Sequence, residues 1–336
     1  MSSKVDLALS ADLLQICKDA GADLEKRYGG WRSACPLHKG DGKSNFSVYS
    51  DSGKLKWKCH SSTCGQGDVI DFVMVWQSLD LKGAIEYLTG GTPITTEEAA
   101  QMAMERKERA EQYKQQKEKE YHDALTELWQ AKAWDRYYHN LLDNQKAREL
   151  WRGRGVPDVF QDIWQLGYSD KFTYYCDAGK WTSPSLVIPI YAIGDPNPIN
   201  IRHRILHPVN PSDKYRPEKS GLRSAPFVAD KDGDHERVLV VEGEIKAMVS
   251  YIAMDDSKLQ VYGIPGKNNF SALMESLKGR EVYILFDPDA GEQAIKAAAS
   301  VNGKLINLRV KVDDAINDGY LTGTELKRLM SRSRKY

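Results

Sequence analysis

Two constellations in this 336-residue chain have the residue types and spacing that metal chemistry requires. The first is Cys35-Pro-Leu-His38, then twenty residues, then Cys59-His60-Ser-Ser-Thr-Cys64. Structural zinc takes four thiolate or imidazole ligands in a tetrahedron, usually delivered as two short knuckles. Cys35 and His38 form one knuckle, and Cys59 and Cys64 form the other. The second knuckle is longer than the common two-residue spacing, so His60 stands as a competitor for the fourth ligand. The second constellation is Val240-Val-Glu242-Gly-Glu244, with Phe286-Asp287-Pro-Asp289-Ala-Gly291 further on. Each motif follows an apolar run that reads as a strand. Carboxylates crowded together repel one another, and a protein that gathers them offers a site for a hard cation such as Mg²⁺ or Mn²⁺. Two such ions can activate a 3′-hydroxyl and stabilise a leaving pyrophosphate. Either acidic motif alone is a weak signal, and Asp287-Pro-Asp289-Ala-Gly291 alone would read as readily as a turn and helix cap.

These residues must be positioned by several separate elements. Around the cysteines, NFSVY and KLKWK read as two strands about the turn at Asp51-Ser-Gly53. A helix follows from about Asp68, with Val69, Phe72, Val73 and Trp76 at helical spacing. A second helix covers about Lys82 to Leu88. From Trp31 to His60 six bases (Arg32, Lys39, Lys43, Lys54, Lys56, Lys58) face two acids, with Trp31, Phe46, Tyr49 and Trp57 interleaved. Bases can neutralise phosphates and aromatics can stack on unpaired bases. Trp31, Lys43, Lys56 and Trp57 are therefore candidate template-reading residues, while Phe46 and Trp57 serve equally as a mini-core.

Residues 95–120 are rich in Glu, Lys and Gln and lack an apolar stripe after Met104, the pattern of a solvated helix or charged tether. An apolar stripe returns from Tyr121. PSLVIPIYAI and INIRHRIL read as strands. From Val238 strands and helices alternate (VLVVEG, KLQVYGI, VYILFD and KLINLRV with helices between), which implies a largely parallel sheet. In such sheets sites form at the carboxyl ends of strands, so Glu242, Asp287 and Asp289 can converge. In the middle of the chain Arg202, Arg204, Lys214, Arg216, Lys219 and Arg223 face two acids. Such bases can grip template phosphates and a nucleoside triphosphate. The five bases from Lys327 to Lys335 read as a solubilising end.

Bulk properties narrow the classes further. Forty-seven basic and 47 acidic residues leave no net charge, so any nucleic-acid binding must rest on local patches. Five cysteines, three of them clustered, argue for metal rather than a disulfide framework. No signal-peptide layout and no bilayer-length apolar run is present, so a cytoplasmic location and no membrane partner are expected.

The stretch CPLH…KSNFSVY…WKCHSSTCGQGDVIDFVMVWQSLDLKGAIEYL resembles the CHC2-type zinc-binding domain of DnaG-type DNA primases of bacteria and phages. The acidic motifs resemble the Toprim domain of that family, which topoisomerases and some nucleases share. Trp151-Arg-Gly-Arg154-Gly-Val-Pro, Leu166-Gly-Tyr168 and the Asn200–Lys219 stretch are similar to the start of its polymerase core. The resemblance implies structural zinc at Cys35, His38, Cys59 and Cys64, and catalytic Mg²⁺ or Mn²⁺ at Glu242, Asp287 and Asp289. Glu244 matches a second glutamate of phage primase-helicases. Those proteins usually carry an aspartate where this chain has Lys246. A late acid is also implied, from among Asp313, Asp314 and Asp318, with Asp314 the choice. Arg154, Arg202, Arg204, Lys214, Arg216 and Lys219 would bind template and nucleotide.

The expected architecture is multidomain, α+β and α/β. A zinc-ribbon β domain occupies 1–92 and a charged helical linker 93–120. A basic mixed α/β subdomain at 121–232 forms the N-terminal part of an RNA polymerase core. A parallel-sheet Toprim domain with a short basic tail covers 233–336. The implied activity is synthesis of RNA primers on single-stranded DNA from NTPs by two-metal nucleotidyl transfer. The alternatives are a Toprim-type metal-dependent nuclease and a non-catalytic zinc-ribbon replication accessory protein. No phosphate-binding loop of a helicase engine is present, so a replicative helicase or other replication protein would act in trans. A phage, plasmid or mobile-element origin fits, with work done in the cytoplasm of a bacterial cell or infected host.

Overall fold

The computed structural model describes residues 4–39, 42, 44–51, 53–61, 64–91, 93–233 and 235–335. The chain divides into two compact units, residues 1–117 with 175–179, and residues 118–174 with 180–336. The fold is mixed: one antiparallel sheet in the first unit, and one antiparallel and one largely parallel sheet in the second.

In the first unit five short strands run in sequence order: Glu25–Arg27, Gly30–Ser33, Phe46–Asp51, Lys54–Cys59 and Gln66–Gly67. Alternation along Lys54–Cys59 turns Trp57 and Cys59 inward while Lys54 and Lys58 face solvent. Trp57, Phe46 and Phe72 meet at centroid distances of 5.5–5.9 Å and form the aromatic centre of this core. Burying such a side chain contributes about 1.5–3 kcal/mol. The helix Val69–Gln77 starts at the expected place because Asp68 caps it: its carboxylate accepts from Ile70 N and Asp71 N, and Asp71 accepts in turn from Asp68 N. Leu81–Leu88 follows. The charged segment is one long helix, Thr96–Ala131. Its start is tied down, since Arg106 lies 2.5 Å from Asp71 and 3.5 Å from Asp68.

In the second unit the strands Gly167–Cys176, Gly179–Tyr191, Pro198–Ile205 and Tyr215–Pro217 form a four-stranded sheet. A six-stranded sheet carries four parallel strands in the order Leu259–Ile264, Arg237–Glu242, Glu281–Leu285, Lys304–Leu305. Phe227–Val228 and Arg334–Lys335 flank them antiparallel. Both faces are covered. Leu239 and Val241 pack with the helix Glu244–Met254, and Val238 and Val240 pack with Gly291–Ser300. Strands buried on both faces read as continuous apolar runs, which is why VLVVE carries no alternation.

Three expectations need revision. The closing strand KLINLRV is only two residues long, Lys304–Leu305. The helix expected near Ser271 is a 3₁₀ segment, Lys267–Leu273. The basic tail is not a loose end: Leu326 and Met330 of the helix Gly323–Arg332 are buried, and Arg334–Lys335 joins the sheet edge.

Candidate functional site

The acidic motifs end neighbouring parallel strands. Val241 pairs with Leu285, so Glu242 closes one strand while Asp287 and Asp289 follow the next. Gly243, at φ +96°, makes the turn from strand into helix. Its carbonyl is approached so closely by Gly263 that a Cβ there would lie 2.6 Å away, so a glycine is needed on the facing strand. This turn sets Glu244 and Lys246 on the first turn of the helix Glu244–Met254. Glu244 is buried and pairs with Arg202, which also donates to Ser224 Oγ at 3.2 Å. Lys246 Nζ donates to Asp287 Oδ2 at 2.6 Å, and both side chains are largely buried. Glu242, Asp287 and Asp289 thus share one end of the sheet, but they are not drawn into a tight three-ligand group among the described residues. Their carboxylates fit a hard cation by chemistry, with Asp287 already holding an ammonium.

A basic cluster lies near this end. Burial and the neighbouring Arg204, Arg154, Lys311 and Lys246 hold the Lys214 ammonium below its usual range. Burial and Arg204 likewise lower Arg154, against the pull of Tyr215, Asp313 and Asp314. Tyr215 is pushed up to about 12 by burial and by Glu244, against Arg204 and Arg154. Arg204 is buried, and its Nε has no hydrogen-bond partner. Cations that depress one another and keep unsatisfied donors form a receptor for an anion. None of the ion pairs among the described residues engages Arg154, Arg204 or Lys214. The other three expected bases are differently placed: Arg202 holds Glu244, Arg216 holds Asp213 and Lys219 holds Glu127. Lys311 was not singled out by sequence, because a lone loop lysine carries no motif. Among the late acids, Asp313 has a buried Oδ1 without a hydrogen-bond partner, while Asp314 and Asp318 are exposed.

In the first unit the four expected zinc ligands converge. Cys35 lies just beyond the strand Gly30–Ser33 and Cys59 ends Lys54–Cys59; both strands pair at Phe46, through Ser33 and Cys59. Cys35 Sγ and Cys64 Sγ are 3.9 Å apart, and His38 Nδ1 lies 3.1 Å from Cys64 Sγ and 3.7 Å from Cys59 Sγ. All four ligand atoms fall within 4.8 Å of one another. Sulfurs about 2.3 Å from a tetrahedral zinc stand roughly 3.8 Å apart, so the donor set fits the ion. Ser61 Oγ, 3.3 Å from His38 Nε2, steadies the ring with Nδ1 facing the thiols. Without metal, burial pushes the Cys35 thiol up to about 12. Burial also acts to raise Cys59, but hydrogen bonds from Ser61 and Cys64 bring it down to about 7. His60 does not join the cluster. Its Nε2 lies 2.8 Å from Arg32 Nη1 and 2.9 Å from Ser47 Oγ.

Residues 3–104 match the family described as the CHC2 zinc finger of DnaG. This segment is therefore similar to a CHC2 zinc finger. No curated protein matches the chain. Among solved structures, the Aquifex aeolicus primase (zinc-binding and RNA polymerase domains) is similar at 20% identity, over 100% of this chain and 87% of that one, with a TM-score of 0.47. The RNA polymerase domain of Mycobacterium tuberculosis primase DnaG, in complex with a double-stranded DNA oligomer, is similar at 15% identity, over 61% and 78%, with a TM-score of 0.45. A DnaG primase catalytic domain bound to single-stranded DNA is similar at 14% identity, over 66% and 83%, with a TM-score of 0.47.

The sheet of the first unit carries a cavity of about 260 Å³ whose lining includes Trp31, Arg32, Tyr49, Lys58 and His60. Of the expected template-reading residues, Trp31 lies in this lining. Trp57 does not suit that role: at 1% exposure it offers no ring face, and its Nε1 donates to Asp68 O at 2.9 Å. Lys56 lies 3.8 Å from Asp68. Lys43 falls outside the described residues. Arg32, Tyr49, Lys58 and His60 were the less obvious members, since only the sheet register gathers them.

Proposed function

We propose that the chain is a DnaG-type DNA primase, which makes short RNA primers on single-stranded DNA from nucleoside triphosphates. One observation carries the reading: the acids that end two neighbouring parallel strands lie beside the Arg154–Arg204–Lys214 cluster, in a chain whose residues 3–104 match a CHC2 zinc finger. The proposed division is the zinc-binding domain at 1–92, the linker at 93–120, the N-terminal part of the polymerase core at 121–232, and a Toprim catalytic domain at 233–336.

In this reading Arg154, Arg204 and Lys214 bind and orient the triphosphate, with Lys311 adding charge. Arg202, Arg216 and Lys219 shape that surface through their acid partners and reach template phosphates only where those pairs open. Glu242, Asp287 and Asp289 would hold Mg²⁺ or Mn²⁺, with Glu244 behind them and Asp314 or its neighbour Asp313 as the late acid. The metal supplies charge neutralisation for the attacking hydroxyl and the departing pyrophosphate. The primer 3′-oxygen bonds to the α-phosphorus, pyrophosphate leaves with the electrons of the broken P–O bond, and the hydroxyl proton passes to solvent. Trp31 and its cavity neighbours on the zinc finger would contact the template. A helicase or other replication protein acting in trans, in the cytoplasm of a bacterial cell or infected host, completes the reading. No helix among the described residues is long and apolar enough to cross a membrane.

The test is incubation of the full chain with single-stranded DNA, labelled ribonucleotides and Mg²⁺ or Mn²⁺. New short RNA supports a primase. Nicked template would replace the reading with a Toprim nuclease, and tight DNA binding with no product would replace it with an accessory protein.

A further inference from the structure

Two stretches of the second unit carry bases and no acid: residues 303–312 with Lys304, Arg309 and Lys311, and residues 326–336 with Lys327, Arg328, Arg332, Arg334 and Lys335. The fold brings them to one edge. Leu305 pairs with Ile284 on one side and Arg334 on the other, so Arg334–Lys335 borders the six-stranded sheet. The helix Gly323–Arg332 starts against Ala253 and Met254, at the far end of the helix that follows Glu242. It runs back along the sheet, and Arg332 ends it just past Arg334, towards the carboxyl ends of the parallel strands. Asp287 stands at that same end, two strands away, a lateral distance of about 10 Å at roughly 4.8 Å per strand. Arg309 lies in the connection between Leu305, at the edge, and Lys311, whose charge acts on Lys214. The basic surface is therefore continuous in chain and in space from the Arg154–Arg204–Lys214 cluster to the sheet border.

Exposed bases elsewhere are neutralised by neighbours, as Lys278 is by Glu275 and Lys296 by Glu292. At this edge Lys304 is held by Glu281, and Asp256 and Glu325 act on Lys327 and Arg328. Arg309, Lys311, Arg332, Arg334 and Lys335 are exposed and make no ion pair among the described residues. Charge on a sheet border guards it against pairing with a further strand. That accounts for Arg334 and Lys335, but not for Arg309 and Arg332, which lie off the strand. Uncompensated cations spread along a rigid edge attract a polyanion, whose successive phosphates can meet them one after another.

We propose that this edge, through Arg309, Arg332 and Arg334, is a track for the phosphate backbone of the primer–template duplex as it leaves the acidic site. The inference rests on the primase reading, since it needs nucleic acid at Asp287. A lateral distance of about 10 Å corresponds to roughly three nucleotides at 3.4 Å each, so the edge meets the backbone within the first turn of the duplex. Contacts of this kind go to phosphate, and they hold the duplex without reading its sequence.

The experiment measures binding of a labelled RNA–DNA hybrid with a single-stranded DNA overhang to the zinc-loaded full chain, by fluorescence anisotropy at several salt concentrations. Wild type, Arg309→Gln, the double variant Arg332→Gln with Arg334→Gln, and Lys278→Gln are compared, with near-ultraviolet circular dichroism confirming that each is folded. Lys278 precedes the strand Glu281–Leu285 at the opposite end of the sheet, so it controls for loss of charge alone. The proposal expects roughly tenfold weaker binding in the double variant, with a slope of log affinity against log salt smaller by about 1–2. It expects about threefold weaker binding in Arg309→Gln and a change within a factor of about 1.5 in Lys278→Gln. Wild-type affinity in either edge variant, or a loss matched by Lys278→Gln, would overturn the proposal. The edge would then be a solubilising border or a protein-facing surface, and the primase reading would stand because wild type still binds the hybrid. No binding of the hybrid by wild type would overturn both.

Discussion

Arg202 and Glu244, 42 residues apart in the chain, meet in an ion pair whose side chains are 9% and 2% exposed. The pair joins the four-stranded sheet to the helix that follows Glu242, so it sets where the acidic turn sits. Breaking such a pair leaves a buried charge without compensation and costs about 3–5 kcal/mol. Glu244→Ala is expected to lower unfolding stability by that amount in denaturant titrations. The double replacement Arg202→Met with Glu244→Leu should recover most of it. A Glu244→Ala variant of unchanged stability would mean the carboxylate acts on substrate or metal instead.

His203 lies on the same strand, fully buried, with Nδ1 2.9 Å from Ser185 Oγ and Nε2 2.6 Å from Glu218 Oε2. Burial holds the imidazole below its ordinary range, against Glu218. Burial acts to raise Glu218, but His203, Tyr137 and Arg136 outweigh it and hold the carboxyl below its usual range. Both groups therefore take up protons more readily when unfolded. Stability from the imidazole is present above its unfolded value near 6.5 and is lost as pH falls below it; stability from Glu218 is lost as pH falls below about 4.5. Thermal unfolding temperatures should drop from pH 7 towards pH 4, and more steeply in Glu218→Gln, where the imidazole loses the carboxylate that opposes its burial. A flat profile for wild type would contradict this pairing.

The zinc cluster makes a prediction that separates its members. Cys64→Ser should lower zinc retention against a chelator by at least tenfold, while His60→Ala should leave it within a factor of about two. Removal of the ion should melt the first unit's sheet ahead of the second unit, read as early loss of the Trp57 near-ultraviolet signal.

The cations divide into two classes with different expected effects. Lys214→Ala, from the cluster without acid partners, should raise the apparent nucleotide KM on the order of tenfold and flatten its dependence on salt. Lys219→Ala breaks a half-exposed pair with Glu127 and should change that KM less than about threefold. Equal effects would dissolve the distinction.

What was legible in the sequence was local. Asp68 followed by Asp71 announces a helix start, and VLVVE and VYIL announce strands with acids at their ends. Leu55, Trp57 and Cys59 alternate, so the inward turn of Trp57 was readable from a thiol that had to face the same side. What required the fold was pairing across distance. Nothing near Arg202, Lys219 or Lys246 in sequence shows that their charges are spent on Glu244, Glu127 and Asp287. The tail lysines and arginines looked solvated because the edge strand they extend lies thirty residues earlier.

The most direct test of the account is primer synthesis by wild type and Asp287→Ala on a single-stranded template, with zinc content and folding matched. The account predicts short RNA from wild type and a loss of roughly 10²–10³-fold in the variant, the scale of several kcal/mol of transition-state charge stabilisation. Undiminished RNA synthesis by Asp287→Ala would contradict it.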